Sequence, residues 1–291
     1  MQGNFLRIAQ IENNTHCNYS CWFCQNRYYT RPKKEIMDMD LFEYILKEIR
    51  KVYTKEELNV TAFSVYNEPT LDPLFVDRLR MMTNMGFYHL CVANGSNFTK
   101  ELVDTIAEEK FNILQFCINI PTVNKKEARK VMGISSNYLD KVLGRLDYLF
   151  KRMNAIGVTV RIMVNGNGSV DHKNTFLEVC KRFGYHNFEI SMSELVNRAG
   201  MLDHVIEGKT DRGPDKDLIC CKQYFEHLYF GIKGNIYLCC HDYNQTYSYG
   251  TIMEKPLKEL IESDERKAAI KEYKKYFCRY CSESEVVQKE I

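Results

Sequence analysis

Twelve cysteines in 291 residues, and the way they are grouped, constrain this chain more than any other feature. Cys17, Cys21 and Cys24 stand together. So do Cys220 and Cys221, Cys239 and Cys240, and Cys278 and Cys281, while Cys91, Cys117 and Cys180 stand alone. Disulfide frameworks belong to small secreted domains that cannot build a sufficient core, and this chain is too long for that class. Its N-terminus, MQGNFLRIAQIENN, lacks the basic-then-apolar pattern of a secretory signal. Close cysteine spacing in such a chain points to metal ligation in a reducing compartment, and a cytoplasmic location is expected.

Hydrophobic residues make up 45% of the chain and charged residues 27%. That is enough apolar material for a full core and argues against a disordered or collagen-like chain. At about 150 residues per domain, the length suits two domains or one large barrel with an appendage. No run of about 18 apolar residues is present, so no membrane-spanning helix is expected. Forty basic against 38 acidic residues leave +2, too little to draw the chain strongly to nucleic acid or anionic lipid.

Short apolar runs alternate with helical patterns. Strands are predicted at 5–11, 60–66, 88–93, 113–120, 158–164 and 187–192. Helices are predicted at 40–52, 73–85, 99–109, 138–156 and 172–183. Such alternation implies an α/β fold with parallel strands joined by helical crossovers. Six strands are too few for the closed eight-stranded barrel, which leaves an open partial barrel or a doubly wound sheet. In either, the reactive end lies at the strands' C-terminal ends, and Cys17 follows the first strand by six residues. The pattern breaks near Gly200. Residues 199–218 are polar and read as a linker. Residues 227–239 read as a hairpin turning at Lys233-Gly234-Asn235, and a helix is predicted from Pro256 to about Tyr273. Three parts are therefore expected: 1–198, the linker 199–218, and 219–291.

Cys17, Cys21 and Cys24 are spaced C-x3-C-x2-C. Three thiolates so close can hold three corners of one iron–sulfur cubane and leave the fourth iron open to another molecule. The alternative is a zinc knuckle, with His16 as fourth ligand.

Cys17-Asn-Tyr-Ser-Cys21-Trp-Phe-Cys24, with aromatic Phe23 before the last cysteine, resembles the signature of the radical S-adenosylmethionine (SAM) superfamily. With the order of strands and helices, the resemblance covers about residues 5–195, and it implies a partial (β/α)6 barrel. It further implies a 4Fe–4S cluster on Cys17, Cys21 and Cys24, with the SAM amino and carboxylate groups on the fourth iron. One electron from an external reductant of flavodoxin or ferredoxin type then cleaves SAM to methionine and a 5′-deoxyadenosyl radical, which takes a hydrogen atom from the substrate. Tyr66-Asn67-Glu68-Pro69 stands where the family has Gly-Gly-Glu-Pro. Both glycines are replaced, and Glu68 is left to meet the SAM ammonium group. Ala93-Asn94-Gly95 is similar to the family's Thr-Asn-Gly, and Cys117-Ile118-Asn119 to the Ser-Leu-Asp near the SAM ribose.

Cys221 and Cys239 bracket the predicted hairpin as C-x12-G-x4-C, and Cys278-x2-Cys281 follows. These four thiolates resemble the site of the twitch domain, the short form of the SPASM extension, which holds one auxiliary 4Fe–4S cluster. The similarity includes Gly250-Thr-Ile252 and covers about residues 219–283, giving two 4Fe–4S clusters in all. A four-thiolate zinc site is the alternative, and Cys220 or Cys240 could replace its neighbour as ligand.

Cys91 and Cys180 are expected to be small buried hydrophobes. Cys240 is the first candidate for a thiol hydrogen-atom donor, with Cys220 second and Cys117 third. His241 and Asp242 are read either as contacts to a polar substrate or as the hairpin's end, and the lysines from Lys267 to Lys275 as a solvated helix face. With 16 residues before Cys17, no fused leader-peptide-binding domain is expected. The resemblance then points to a small polar substrate of sugar, aminoglycoside or aminocyclitol type, and to epimerisation. Dehydrogenation of a secondary alcohol, maturation of a ribosomally made peptide, and a zinc-stapled binding protein are the rivals. Protein purified without oxygen should carry about eight irons with matching acid-labile sulfide, and replacing Cys17, Cys21 and Cys24 by Ala should leave about four. Zinc without sulfide would exclude the cluster reading.

Overall fold

The computed structural model describes residues 7–29, 34–184, 188–205, 211, 218–219, 227–283 and 285–286. Cys220 and Cys221 lie outside the described residues, as does most of the expected linker. Strands β1 (Ile8–Ile11), β2 (Val60–Ala62), β3 (Tyr88–Ala93), β4 (Ile113–Asn119), β5 (Val160–Gly166) and β6 (Glu189–Glu194) pair in parallel, each with the next in sequence. Between them run α1 (Met39–Val52), α2 (Phe75–Asn84), α3 (Lys100–Glu109), α4 (Ala128–Met132), α5 (Ser136–Ala155) and α6 (Val170–Phe183). The strand order shows no reversal, so the switch point of a doubly wound sheet is absent. Right-handed crossovers then place the helices on one side, and the architecture is an open, partial (β/α)6 barrel.

A short antiparallel pair joins β7 (Leu218–Ile219) to β11 (Glu285–Val286). The predicted hairpin forms as β8 (Leu228–Phe230) and β9 (Asn235–Tyr237), followed by β10 (Ser248–Thr251). These strands extend the barrel sheet. β8 lies parallel to β1, with Ala9 opposite Leu228 and Ile11 opposite Phe230. β9 and β10 follow antiparallel, to give nine strands in the order β10-β9-β8-β1-β2-β3-β4-β5-β6. Helices α7 (Leu257–Glu262) and α8 (Asp264–Tyr276) close the chain. The buried Glu48 of α1 accepts a hydrogen bond from Leu257 N at 3.0 Å, which fastens the start of α7 to the barrel.

Local chemistry sets the boundaries. α1 starts at Asp38, whose carboxylate accepts from Asp40 N, and it buries Phe42, Ile45, Leu46 and Ile49 at helical spacing. α5 runs from a Ser135 cap to Ala155, just ahead of Gly157. The single helix expected after Pro256 is two helices. Ser263 ends α7 and caps α8 by accepting from Arg266 N, a local bond that competes with continued helix. The second predicted strand is shorter than expected because the chain leaves the sheet after Ala62. Among the described residues, no helix is long and apolar enough to cross a membrane.

A buried polar web ties the β2–α2 segment to β1. Asp72 accepts from Arg78 Nε at 2.7 Å and from Asn13 Nδ2 at 2.8 Å, and Asn13 Nδ2 also donates to Pro69 O at 3.2 Å. Both members of the Arg78–Asp72 pair are fully buried. Removing one partner of such a pair leaves the other charge uncompensated in low dielectric. Asp72→Ala should therefore destabilise the protein by about 3–5 kcal/mol, read as a lower urea midpoint at unchanged slope.

Candidate functional site

The loop after β1 carries Cys17, Cys21 and Cys24, all half-buried free thiols. α4, which the sequence reading does not contain, serves as its shelf. Ser20 N donates to Met132 O at 2.9 Å, Trp22 N to Val131 O at 3.0 Å, and Arg27 Nη1 to Lys130 O at 2.8 Å. Gly133 ends α4 at φ 74°, and a Cβ there would lie 2.9 Å from the Ser20 Cβ. Both the backbone angle and the close approach of the cysteine loop require glycine at this position.

Glu68 follows β2 and is 1% exposed. Its Oε2 accepts from Asn94 N at 2.6 Å, and its Oε1 from Thr70 N at 3.2 Å and Thr70 Oγ1 at 2.5 Å. Asn94 Nδ2 in turn lies 3.9 Å from Cys17 Sγ. Burial pushes the Glu68 carboxyl up despite its three donors. Burial also pushes Cys17 up to about 12, and Cys21 and Cys24 up in direction. Thiols and a carboxyl crowded into low dielectric disfavour their charged forms until positive charge arrives. Iron at the thiols and an ammonium group at Glu68 would supply it, so this donor set fits a cluster and a bound amino acid moiety.

These groups enclose a cavity of about 170 Å³. Its walls include Phe23, Tyr66, Asn67, Glu68, Asn94 and Asn119, beside Cys17, Cys21 and Cys24. Cys117 is not among its walls. It shares a strand face with Asn119 but sits two residues deeper, donates to Gln115 Oε1 at 3.2 Å, and is pushed up to about 11 by burial. His16, the candidate zinc ligand, does not line the cavity either. A larger cleft of about 660 Å³ adjoins it through Pro121 and Asn165, with Trp22, Thr122, Asn124 and Asn167 on its walls. Cys91 is fully buried, as expected, whereas Cys180 is half-buried.

One cavity residue missed in the sequence is Arg198. Arg198, Ala199 and Gly200 take φ values of 51°, 54° and 85° in succession, a left-handed turn that brings the chain back after β6. Asn197 secures it by donating to Tyr280 O at 2.7 Å and accepting from Ser282 N at 2.9 Å. Arg198 thereby lies within electrostatic reach of Tyr66, Cys240 and Cys24. The only local signal was an Asn-Arg-Ala-Gly run after a predicted strand.

The second cysteine group converges as well. Cys239, Cys278 and Cys281 are 4%, 5% and 6% exposed, while Cys221, the expected fourth ligand, and Cys220 lie outside the described residues. Cys278 and Cys281 share a 3-10 turn in which Cys281 N donates to Cys278 O at 3.0 Å. His241 N donates to Cys239 Sγ at 3.4 Å, and His241 Nδ1 lies 3.8 Å from Cys281 Sγ. The Tyr273 hydroxyl faces Cys239, with Cys278 nearby. Cys240 is half-buried and lies within electrostatic reach of Arg198, while Tyr66 and Tyr229 lie near both Cys239 and Cys240. Asp242 accepts from Thr246 N at 3.0 Å and Tyr247 N at 2.9 Å, so it shapes the turn after the hairpin. The two cysteine groups meet through Tyr243, whose hydroxyl lies 2.9 Å from both of its acceptors, Asn26 Oδ1 and Tyr29 O, with one hydrogen to share between them, and whose ring packs against Tyr66 at 4.8 Å.

The family model of the radical SAM superfamily matches residues 14–179. The chain belongs to the radical SAM superfamily, and it is a radical SAM enzyme. A second family model, an iron–sulfur cluster-binding domain named SPASM, matches residues 220–282. The two matches indicate iron–sulfur and SAM cofactors, in keeping with the donor sets above. Over 158 residues this radical SAM chain is 25% identical to the tungsten-containing aldehyde ferredoxin oxidoreductase cofactor-modifying protein of Pyrococcus furiosus. That match covers 53% of this chain and only 43% of the relative. It is 20% identical over 263 residues to the S-adenosyl-L-methionine-dependent 2-deoxy-scyllo-inosamine dehydrogenase of Niallia circulans, covering 88% and 82% of the two chains. In fold it is similar to BtrN in complex with AdoMet and 2-DOIA, with a TM-score of 0.61, 16% identity, and 96% and 93% coverage. It is also similar to Streptococcus suis SuiB bound to precursor peptide SuiA, with a TM-score of 0.66, 14% identity, and 96% and 70% coverage.

Glu68 lends itself to a direct test. Glu68→Ala removes a carboxylate that would face the SAM ammonium group and should weaken SAM binding by about 1.5–3 kcal/mol, the scale of a charged hydrogen bond. Calorimetric titration of the anaerobic protein measures it, and unchanged affinity would reduce Glu68 to a turn residue.

Proposed function

We propose that this radical SAM enzyme takes a hydrogen atom from a carbon of a small polar substrate of sugar, aminoglycoside or aminocyclitol type, and that Cys240 returns one to the opposite face, an epimerisation; the Cys240 thiyl radical left behind regains its hydrogen as one electron from the external reductant and one proton from solvent. Cys17, Cys21 and Cys24 hold the SAM-binding 4Fe–4S cluster. Cys221, Cys239, Cys278 and Cys281 hold an auxiliary one, and residues 219–291 form the part that carries it. Phe23, Tyr66, Asn67, Glu68, Asn94 and Asn119 shape the SAM site. When bound there, the first cluster would supply one-electron reduction of SAM, with an external flavodoxin- or ferredoxin-type protein as the electron source.

The observation that carries this reading is the division of the Cys239–Cys240 pair. The Tyr273 hydroxyl faces Cys239, whereas Arg198, which lines the cavity, lies within electrostatic reach of Cys240. Arg198 supplies a fixed cation that can hold substrate hydroxyl oxygens beside that thiol. Donation requires Cys240 to carry its hydrogen. In the chain alone, a hydrogen bond from Cys239, and then His241 and Arg198, hold the Cys240 thiol well below its ordinary range. Ligation of Cys239 removes that donor and brings negative charge nearby, and both changes favour the S–H form. Likeness to the Niallia dehydrogenase over 88% of this chain favours a second reading, oxidation of a secondary alcohol with the auxiliary cluster as electron acceptor. The fold shared with peptide-bound SuiB keeps a peptide substrate as the third.

Turnover in deuterated water separates these readings. An epimerase product should gain one deuterium at the inverted carbon, because thiol hydrogens exchange with solvent, and SAM should be consumed in proportion to product. Cys240→Ala should still form 5′-deoxyadenosine and keep its iron, yet yield no inverted product. A product two hydrogens lighter, with Cys240→Ala fully active, would establish the dehydrogenase. Loss of about four irons from Cys240→Ala, one cluster's worth, would make Cys240 the ligand in place of Cys239.

A further inference from the structure

Tyr273 lies in the last turn of α8 and is 2% exposed. Its ring stacks on Phe277 at 4.4 Å and meets Tyr247 edge-on at 5.0 Å. Phenylalanine would satisfy that packing equally well. The hydroxyl faces the Cys239 thiol, yet it makes no hydrogen bond of ordinary geometry with any described group. A buried phenol without a partner lowers stability relative to phenylalanine, so its position calls for an acceptor. A free thiol is a poor one, because it carries its own hydrogen and accepts weakly. A metal-bound thiolate has lost that hydrogen and can only accept.

The same sulfur already receives His241 N at 3.4 Å, and Cys281 Sγ lies 3.8 Å from His241 Nδ1. Donors therefore gather on the protein side of this cysteine group. Hydrogen bonds to the sulfurs are among the features that set an iron–sulfur cluster's reduction potential. Each such bond favours the reduced cluster, which carries the greater negative charge. We propose that the Tyr273 hydroxyl donates a hydrogen bond to the sulfur at the Cys239 corner of the auxiliary cluster and raises the potential at which that cluster accepts an electron. Tyr273 is thus a positioning residue, acting through Cys239 without touching substrate. The inference rests on the reading of Cys239, Cys278 and Cys281 as cluster ligands.

The test uses full-length protein with Cys17, Cys21 and Cys24 replaced by Ala, so that the auxiliary cluster alone is titrated. Iron and acid-labile sulfide are counted first, and absence of both would overturn the cluster reading and the proposal with it. With the cluster present, a redox titration followed by electron paramagnetic resonance compares Tyr273 with Tyr273→Phe, which keeps the ring and deletes only the hydroxyl. The expected result is a midpoint shifted to more negative potential, with about a tenfold lower reduced-to-oxidised ratio at fixed ambient potential, equivalent to about 59 mV for one electron. Resonance Raman spectra should show an iron–sulfur stretching band that moves on transfer to deuterated water in the parent, and moves less in Tyr273→Phe. An unchanged midpoint at full iron content would overturn the proposal. So would loss of the cluster from Tyr273→Phe, because the hydroxyl would then serve assembly and not potential.

Discussion

Burying ionisable sulfur and carboxylate without matching positive charge is the constraint on which the rest of this structure turns. Cys17, Cys21, Cys24 and Glu68 are gathered into one low-dielectric cavity, and burial pushes all four toward their neutral forms. Such a gathering does not assemble by its own attraction. The fold holds it in place from outside. α4 clamps the cysteine loop by its backbone carbonyls, and Asn13 bonds the turn beyond Glu68 to β1 through Asp72 and Pro69. The stability of the scaffold is thus spent on keeping apart from water the groups that a cluster and SAM would later neutralise.

The second cysteine group depends on the first through the sheet. β8 lies parallel to β1, so the hairpin leading to Cys239 starts from the strand that leads to Cys17. Tyr243 then joins the two loops, and Asn197 joins the Arg198 turn to the Cys278–Cys281 turn. Arg198 and Tyr66 line the cavity beside the first group and lie within electrostatic reach of Cys240 next to the second. Preorganisation of this kind fixes the distance between the two cysteine groups before any ligand binds.

Much of this was legible in the sequence, and the remainder was hidden for identifiable reasons. Alternating strands and helices revealed β1 to β6, because hydrophobic periodicity is local. The cysteines and Glu68 were legible because their spacing carries chemistry. α4 was not, being five residues long and stabilised by what packs against it. The break at Ser263 was missed because an apolar period crosses it, and the capping bond that wins there is a competition between two acceptable structures. The pairing of β8 with β1 left no local trace, since strand partners are chosen by tertiary packing. Arg198 was hidden for the same reason: its role comes from a left-handed turn that no single residue type announces outside glycine.

The Cys239–Cys240 pair shows how neighbours in sequence can be separated in chemistry. Just past β9 the chain makes a turn, closed by Asp242 N donating to Cys239 O at 3.1 Å, and within it Cys239 is the sulfur that the Tyr273 hydroxyl faces while Cys240 is the one within electrostatic reach of Arg198. The first environment is buried, aromatic and supplied with a donor in His241 N, which would suit a sulfur bound to metal. The second sets the thiol near a guanidinium of the cavity wall, as the proposed epimerisation would require. On the proposed reading, the division of labour would follow from this one turn in the chain, with no difference needed between the two residues themselves.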